Sequence, residues 1–236
     1  SGVRVFGPNA SVEQDLEPEY IAVSPDSTTA FVAMQENNAL GIVDLTNGTA
    51  GALVPLGTKD HSIPGNGLDA SDRDNVINIT TWPLKGLYLP DAITIHEIGG
   101  VPYIFSANEG DTRDYDTYSE ETEVGDVTLD PTVFPDADIL QENEHLGRLL
   151  ITNTLGDTDN DGDYDELYSI GGRSFSIWDL SGNLVWDSGD QFEQNLADLI
   201  PLHFNSNNDE NGSKDSRSDA KGPEPEAVTV ADVAGS

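Results

Sequence analysis

Short runs of alternating apolar and polar residues, punctuated by Gly, Asn, Asp, Ser and Pro, recur along the whole chain. A period of two is the mark of a strand with one buried face. Three runs share one phrase: EPEYIAV at residues 17–23, LPDAITI at 89–95 and EPEAVTV at 224–230. In each, a proline and then a carboxylate (Pro18 and Glu19, Pro90 and Asp91, Pro225 and Glu226) lead into the apolar alternation. Runs at 30–34, 40–45 and 52–56 follow the first phrase, and four strands in about 40 residues make one propeller blade. The second phrase opens another unit at 92–98 and 101–107. The pattern predicts an all-β fold, a single domain over residues 1–236, in the form of a partial β-propeller of about three to four blades with long acidic loop insertions.

Other elements are less regular. Residues 3–6 read as a lone strand, and 76–79 as another beyond a polar loop at 57–74. Residues 108–145 form a long acidic insertion with a short helix near 136–143, and strands resume at 147–153 and 166–170. SFSIWDL and NLVWDSG, joined through Ser181-Gly182, make a hairpin. Phe192, Leu196, Leu199 and Ile200 share one helical face within 190–202. Residues 205–222 would pass for a linker on composition alone. The lone strand near the start, and a third phrase that runs out at Ser236, lead us to expect a piece of a longer, incomplete domain.

Charge narrows the choice of partner. The chain has 44 acidic and 10 basic residues, a formal charge of −34. Such a field excludes a nucleic-acid backbone or an anionic membrane surface as a generic partner and makes divalent cations the natural one. It also suits an acidic surface kept soluble in salty surroundings. There is no cysteine, so no disulfide holds the fold. No stretch is apolar and long enough to span a membrane, and SGVRVFGPNA does not read as a signal peptide.

Two constellations could carry chemistry. In GDTDNDGDYDEL, Asp157, Asp159 and Asp161 fall at positions 1, 3 and 5 of a DxDxDG loop, with Gly162 at the turn and Asp163 and Asp165 following at positions 7 and 9. Those are calcium ligands by type and spacing. Tyr168 stands where an EF-hand needs a bidentate Glu, and the flanks read as strands, so the loop is similar to the calcium hairpins of integrin-type propellers. Its affinity would lie in the extracellular range of about 10⁻⁴ to 10⁻³ M. The second set is the acids at the phrase entrances: Glu17, Glu19, Asp91, Glu224 and Glu226. Innermost propeller strands run in one direction along a channel, so these carboxylates would converge on its mouth, where Glu19, Asp91 and Glu226 could hold a second divalent metal. Glu109, Asp111, Arg113 and His61 lie in adjoining loops. The same acids also suit plain structural corners, each capping backbone amides. No HxH, HExxH or GxSxG pattern is present. Of the histidines only His61 is a candidate for chemistry, and a surface role suits it as well. Sequons begin at Asn9, Asn47, Asn78 and Asn211, about as many as this composition gives by chance.

Taken together, LEPEYIAVS, MQENNALGIVDL, LGTKDHS, PDAI, ANEGDTRDY, LGRLLIT, GGRSFSIWD, DSGDQFE and RSDAKGPEPEAV resemble the choice-of-anchor I family, which includes mesenchyme-specific cell-surface glycoproteins. The resemblance implies an extracellular or surface-anchored β-propeller that continues past the third phrase, with bacterial members labelled alkaline phosphatase. It also implies that Arg217, Asp219 and Lys221 are ordered near the channel mouth rather than in a linker. Three functions follow as expectations. One is a calcium-binding surface protein engaged in cation binding or in contacts with matrix proteins or the remainder of the propeller. Another is a metal-dependent phosphohydrolase using Asp91, Glu109 and Asp111, with Glu19 and Glu226, and with Arg113 or Lys221 for phosphate. The last is a purely structural layer component.

Overall fold

In the computed structural model, which describes residues 2–233, the chain is all-β apart from short helices. Its first sheet is a four-stranded antiparallel meander of β1 (Pro18–Val23), β2 (Thr29–Met34), β3 (Ala39–Asp44) and β4 (Thr49–Pro55), preceded by the single turn α1 (Val12–Asp15). Local chemistry sets its turns. Asp26 accepts from Ser24 and Thr28 between β1 and β2, and Asp44 accepts the Thr46 and Asn47 amides ahead of the left-handed Gly48 (φ +65°) between β3 and β4.

The strands β5 (Thr58–Asp60) and β6 (Lys85–Leu87) come next, followed by the hairpin β7 (Ile93–Ile98) and β8 (Val101–Asn108). The chain then departs through β9 (Asp114–Tyr115), β10 (Tyr118–Ser119), β11 (Glu121–Glu123), α2 (Ala137–Leu140), β12 (Leu150–Thr152) and β13 (Tyr168–Ser169). It returns as β14 (Ser174–Trp178), which pairs with β8 from Ser174 opposite Asn108 to Trp178 opposite Ile104, and then β15 (Leu184–Asp187). The second four-stranded sheet is therefore β7-β8-β14-β15, antiparallel throughout, with a long excursion between its halves. The excursion builds a mixed sheet, β11-β12-β13-β6-β5, in which β13 and β6 run parallel. The helix α3 (Gln191–Leu199) follows.

The two four-stranded sheets share a core. Ala22, Phe31, Ala33 and Leu40 from the first meet Ile93, Ile104 and Trp178 from the second, and Tyr88 meets the Trp178 ring edge-on at 5.0 Å. A separate core under the excursion gathers Leu68, Trp82, Leu149, Ile151 and Leu167. Four of the ten basic residues are buried between these bodies, each joined to oxygens from distant parts of the chain. Lys59 Nζ donates to Gly172 O (2.9 Å) and Gly189 O (2.6 Å) and pairs with Asp187 (3.1 Å). Arg173 bonds Glu193 Oε1 (2.7 Å) and the carbonyls of Asp69, Ser218 and Ala220. Arg4 bonds Glu120, Thr152, Thr154 and the Glu36 carbonyl.

Several expectations need correction. Two four-stranded units are formed among the described residues, not three or four. Residues 3–6 and 76–79 form no strand; the first of these is tied down by Arg4 rather than by a ladder. The strands expected over 147–153 and 166–170 shorten to β12 and β13. In β1 only Ala22 is buried, while Tyr20, Ile21 and Val23 are 49, 60 and 47% exposed. The third phrase, Glu224 to Val230, is extended but has no ladder partner among the described residues, and Ser236 lies outside them. Residues 205–222 are an ordered series of turns with Asn205, Asp215, Ser218 and Asp219 buried. The acidic insertion is likewise ordered.

Two measurements check this account of the buried ions. Arg173→Ala leaves Glu193 (1% exposed) without its partner and should lower unfolding stability by about 3–5 kcal/mol in denaturant titration. Arg73→Ala, which removes a pair with Asp72 from a half-exposed side chain, should cost less than about 0.5 kcal/mol. Burial pushes the Asp69 carboxyl up to about 7, against the opposing Asn78 amide bond and with Asp215 and Glu193 adding to it. The folded chain thus holds a proton that the unfolded chain releases near pH 4. Stability from Asp69 is complete below that pH and falls, by up to about 1.4 kcal/mol per pH unit, as pH rises toward 7. Asp69→Asn should flatten that part of the stability profile.

Candidate functional site

β1 and β7, the strands of the first two phrases, lie side by side. Just beyond the third phrase, Asp232 Oδ1 lies 3.2 Å from His96 Nε2 of β7. The second and third phrases also enter in the same way: Leu89 and Glu224, each before a proline, both take a left-handed φ of 45°. That conformation is uncommon outside glycine and more so before proline, so its recurrence marks one local geometry used twice.

Four of the predicted acids act on Asp91 through their charge, but among the described residues no three acids that include Glu19, Asp91 or Glu226 bring ligand oxygens within 4.8 Å of one another. Burial raises the pKa of Asp91, and the charges of Glu109, Glu19, Glu226 and Asp111 raise it further. Glu109 is held there by a backbone crossing that only glycine permits. A Cβ on Gly110 (φ +96°) would sit 2.3 Å from Gly171 Cα, and one on Gly171 (φ +81°) would sit 2.3 Å from Glu109 O. Glu109 accepts from Lys221 Nζ (2.9 Å) and Gln35 Nε2 (2.9 Å). Lys221 also faces Glu224 (3.4 Å) and Asp111 (3.8 Å); burial alone would lower its pKa, but these acids outweigh it and raise it. Arg217 pairs with Glu224, and Asp219 with Arg148 at 2.7 Å. The pairing of these acids is therefore asymmetric. Glu109, Asp111 and Glu224 have cationic partners, whereas none of Glu19, Asp91 and Glu226 is in an ion pair among the described residues.

Arg113 is placed differently from the expectation. It is 3% exposed, and its guanidinium is taken up by Asp15 Oδ1 (2.8 Å), the Asp15 carbonyl and Glu17 Oε1 (3.1 Å), stacked 4.3 Å from the centre of Phe6. Arg4 stacks on the same ring at 4.3 Å. His61 is not a surface residue: it is fully buried, with Nδ1 on Asn66 O at 2.6 Å, and burial, with Lys59 nearby, holds its pKa down to about 3. It stays neutral and away from solvent. Gln35 and Glu36 are both buried at the β2–β3 turn, Gln35 donating to Glu109 and Glu36 acted on by the charges of Glu17 and Glu19; the run QENN was the only signal of this in the sequence.

The Asp-rich loop joins β12 to β13, which pair antiparallel through Ile151 and Ser169. Asp157 accepts the amides of Asp161 (3.2 Å) and Gly162 (3.1 Å), with Asn160 and Gly162 in left-handed conformations (φ 64° and 101°). Ligand atoms of Asp157, Asp159 and Asp165 lie within 4.8 Å of one another, and those of Asp130, Asp163 and Asp165 form a second such group. Asp161 belongs to neither; it accepts the Asp163 amide at 3.2 Å. Asp130 comes from a separate segment held against the loop by Asp130 N–H on Tyr164 O and Tyr164 N–H on Thr128 O, a contact the sequence does not announce. Asp161 raises the pKa of Asp159, and that of Asp163 is raised to about 6 by desolvation, Asp161 and Asp130. Hydrogen bonds from Thr158 lower that of Asp165. The donor set, all oxygen and mostly carboxylate, fits calcium.

Comparison with known proteins follows the same outline. A mesenchyme-specific cell surface glycoprotein of Strongylocentrotus purpuratus is 30% identical over 263 residues, covering 97% of this chain and 33% of that protein. Gigasin-3a of Magallana gigas is 38% identical over 97 residues, 39% of this chain and 34% of that protein. The chain thus spans about a third of the length of the curated relatives it matches. Among solved structures, a chain of Kuenenia stuttgartiensis hydrazine synthase aligns at a TM-score of 0.22 and 16% identity, over 78% of this chain and 52% of that one, too slight a likeness to bear on the fold. The choice-of-anchor I domain matches residues 1–236 from end to end, and the chain belongs to that family.

Proposed function

We propose that this chain is a section of a β-propeller, secreted or held at a cell surface, whose work is to bind divalent cations, calcium first, in contacts with a surface or matrix. The observation that carries the reading is the gathering of ligand oxygens of Asp157, Asp159 and Asp165 within 4.8 Å of one another, and the charges of Glu109, Glu19, Glu226 and Asp111 around Asp91 mark another acidic centre. Like charges so close must be relieved by protons or metal, and a protein with 44 acidic residues has few cations of its own to offer. The propeller reading draws support from two successive four-stranded antiparallel sheets, each led by a phrase strand, with β1 beside β7. Surface placement draws on the similarity to a cell surface glycoprotein of Strongylocentrotus purpuratus. An ion in the Asp loop would clip β12, β13 and the Asp130 segment together.

A phosphohydrolase would use the same mouth carboxylates to hold metals that activate water. The geometry favours binding over this chemistry, because the groups suited to phosphate are engaged: Lys221 with Glu109, and Arg113 with Asp15 and Glu17.

Thermal melts with chelator and then with about 5 mM calcium test the cation reading. Sites of extracellular affinity should stabilise the native chain by about 1–2 kcal/mol, seen as a higher midpoint, and Asp159→Asn should remove much of the rise. An unchanged midpoint would point instead to a purely structural role. For catalysis, phosphomonoesters and diesters should show no turnover with calcium, magnesium, manganese or zinc; metal-dependent turnover abolished by Asp91→Ala would establish the hydrolase instead.

A further inference from the structure

The helix α3 is held in the fold by its polar side. Glu193, 1% exposed, accepts Arg173 Nη1 and Asn205 Nδ2 at Oε1 (2.7 and 3.1 Å) and the Asp69 amide at Oε2 (2.7 Å). An amphipathic helix on a globular protein ordinarily turns its apolar stripe to the core. Here Phe192, Leu196, Leu199 and Ile200 belong to no hydrophobic core among the described residues; Phe192 meets the second sheet with its ring centre 6.0 Å from that of Phe175. Leu199 and Ile200 are 76 and 45% exposed, and Leu202 just beyond them 77%. With Pro223 and Pro225, at the entrance of the third phrase, the four line a groove of about 400 Å³. A contiguous apolar surface on so acidic a chain marks a place of interaction, where single exposed leucines would not.

The charges nearby say what kind of partner fits. No lysine or arginine stands between residues 191 and 203. Asp198 on α3 and Glu226, next to Pro225, are exposed and in no ion pair among the described residues. Arg217 is bonded to Glu224, between the two prolines, and neutralised there. A second copy of the chain would bring a further formal charge of −34 against the same acids, so it is a poor occupant. We propose that the groove binds the apolar face of a basic amphipathic helix from a partner protein. Leucine-sized side chains seat between α3 and the prolines, and lysines or arginines reach Asp198 and Glu226. The proposal does not rest on the cation-binding reading, since no residue of the groove belongs to the Asp loop.

Titrating fluorescein-labelled synthetic peptides with the whole chain at physiological salt, read by anisotropy, tests it. One peptide carries leucines at i, i+3, i+4 and i+7 with lysines elsewhere; a second scrambles the same composition; a third has glutamate for lysine. The first should bind at least about tenfold more tightly than the other two. Leu199→Ser should weaken it about tenfold and leave the melting midpoint in place, and removing both rim charges with Asp198→Asn and Glu226→Gln should weaken it about threefold. Equal binding of the scrambled peptide, or no effect of Leu199→Ser, would mean that net charge alone attracts and would overturn the groove. A glutamate peptide that binds as well as the lysine one would overturn the basic partner. A dimer of the chain alone in sedimentation, lost in Leu199→Ser, would give the groove to a second copy and overturn the proposal. Should Leu199→Ser not fold, Ile200→Ser decides by the same outcomes.

Discussion

The fold depends on how few cations it has and where it puts them. Of ten basic residues, Arg4, Lys59, Arg113 and Arg173 lie inside, at 6, 3, 3 and 2% exposure. Removing a charge from water is expensive, so each is surrounded by oxygens, and those oxygens come from segments far apart in sequence. Lys59 ties β5 to the ends of β14 and β15. Arg173 ties the start of β14 to α3, to the loop at Asp69 and to the turns around Ser218. Arg4 and Arg113, both stacked on the Phe6 ring, bind the opening segment to the excursion and to the first sheet. These contacts do the joining that disulfides would do elsewhere, in a chain that has no cysteine.

Using cations this way leaves the surface strongly acidic, which explains why the carboxylate clusters persist uncompensated. A site needs its charges held in place against repulsion, and here the scaffold supplies that force. The crossing of Gly110 and Gly171 fixes Glu109, and the repeated left-handed residue before proline fixes the entrances of the second and third phrases. The energy to hold like charges together comes from packing and backbone geometry elsewhere, which is the usual relation between a functional site and its fold.

The first three strands of the first sheet were legible to within a residue, because each is flanked by turn chemistry that acts locally, such as Asp44 before Asn47-Gly48; β4 starts three residues earlier than its apolar run suggests. The two hairpins of the second sheet were legible too, but not their union. Ser174 meets Asn108 across 66 positions, and no local pattern encodes a pairing that distant. Residues 3–6 look like a strand because they alternate, yet Arg4 is drawn inward by Glu120 and Thr152, a tertiary demand that overrides the period. The acids of the phrases declared themselves by repetition. Asp130 could not, because it joins Asp163 and Asp165 only when a separate segment folds against the loop.

The two acidic sites differ in how their charge is managed, and the difference bears on what each can do. In the Asp loop, compensation is local: backbone amides and Thr158 bond the carboxylates that a calcium ion would share, so the loop is shaped by its own sequence. Around Asp91, compensation is partial: Lys221 reaches Glu109 across 112 positions and Arg217 bonds Glu224 only 7 residues on, while Glu19, Asp91 and Glu226 are in no ion pair among the described residues. A locally built loop suits a fixed structural ion. The acids around Asp91 are only half paired by the protein's own cations, so the hold of Lys221 on Glu109 sets how negative that patch is.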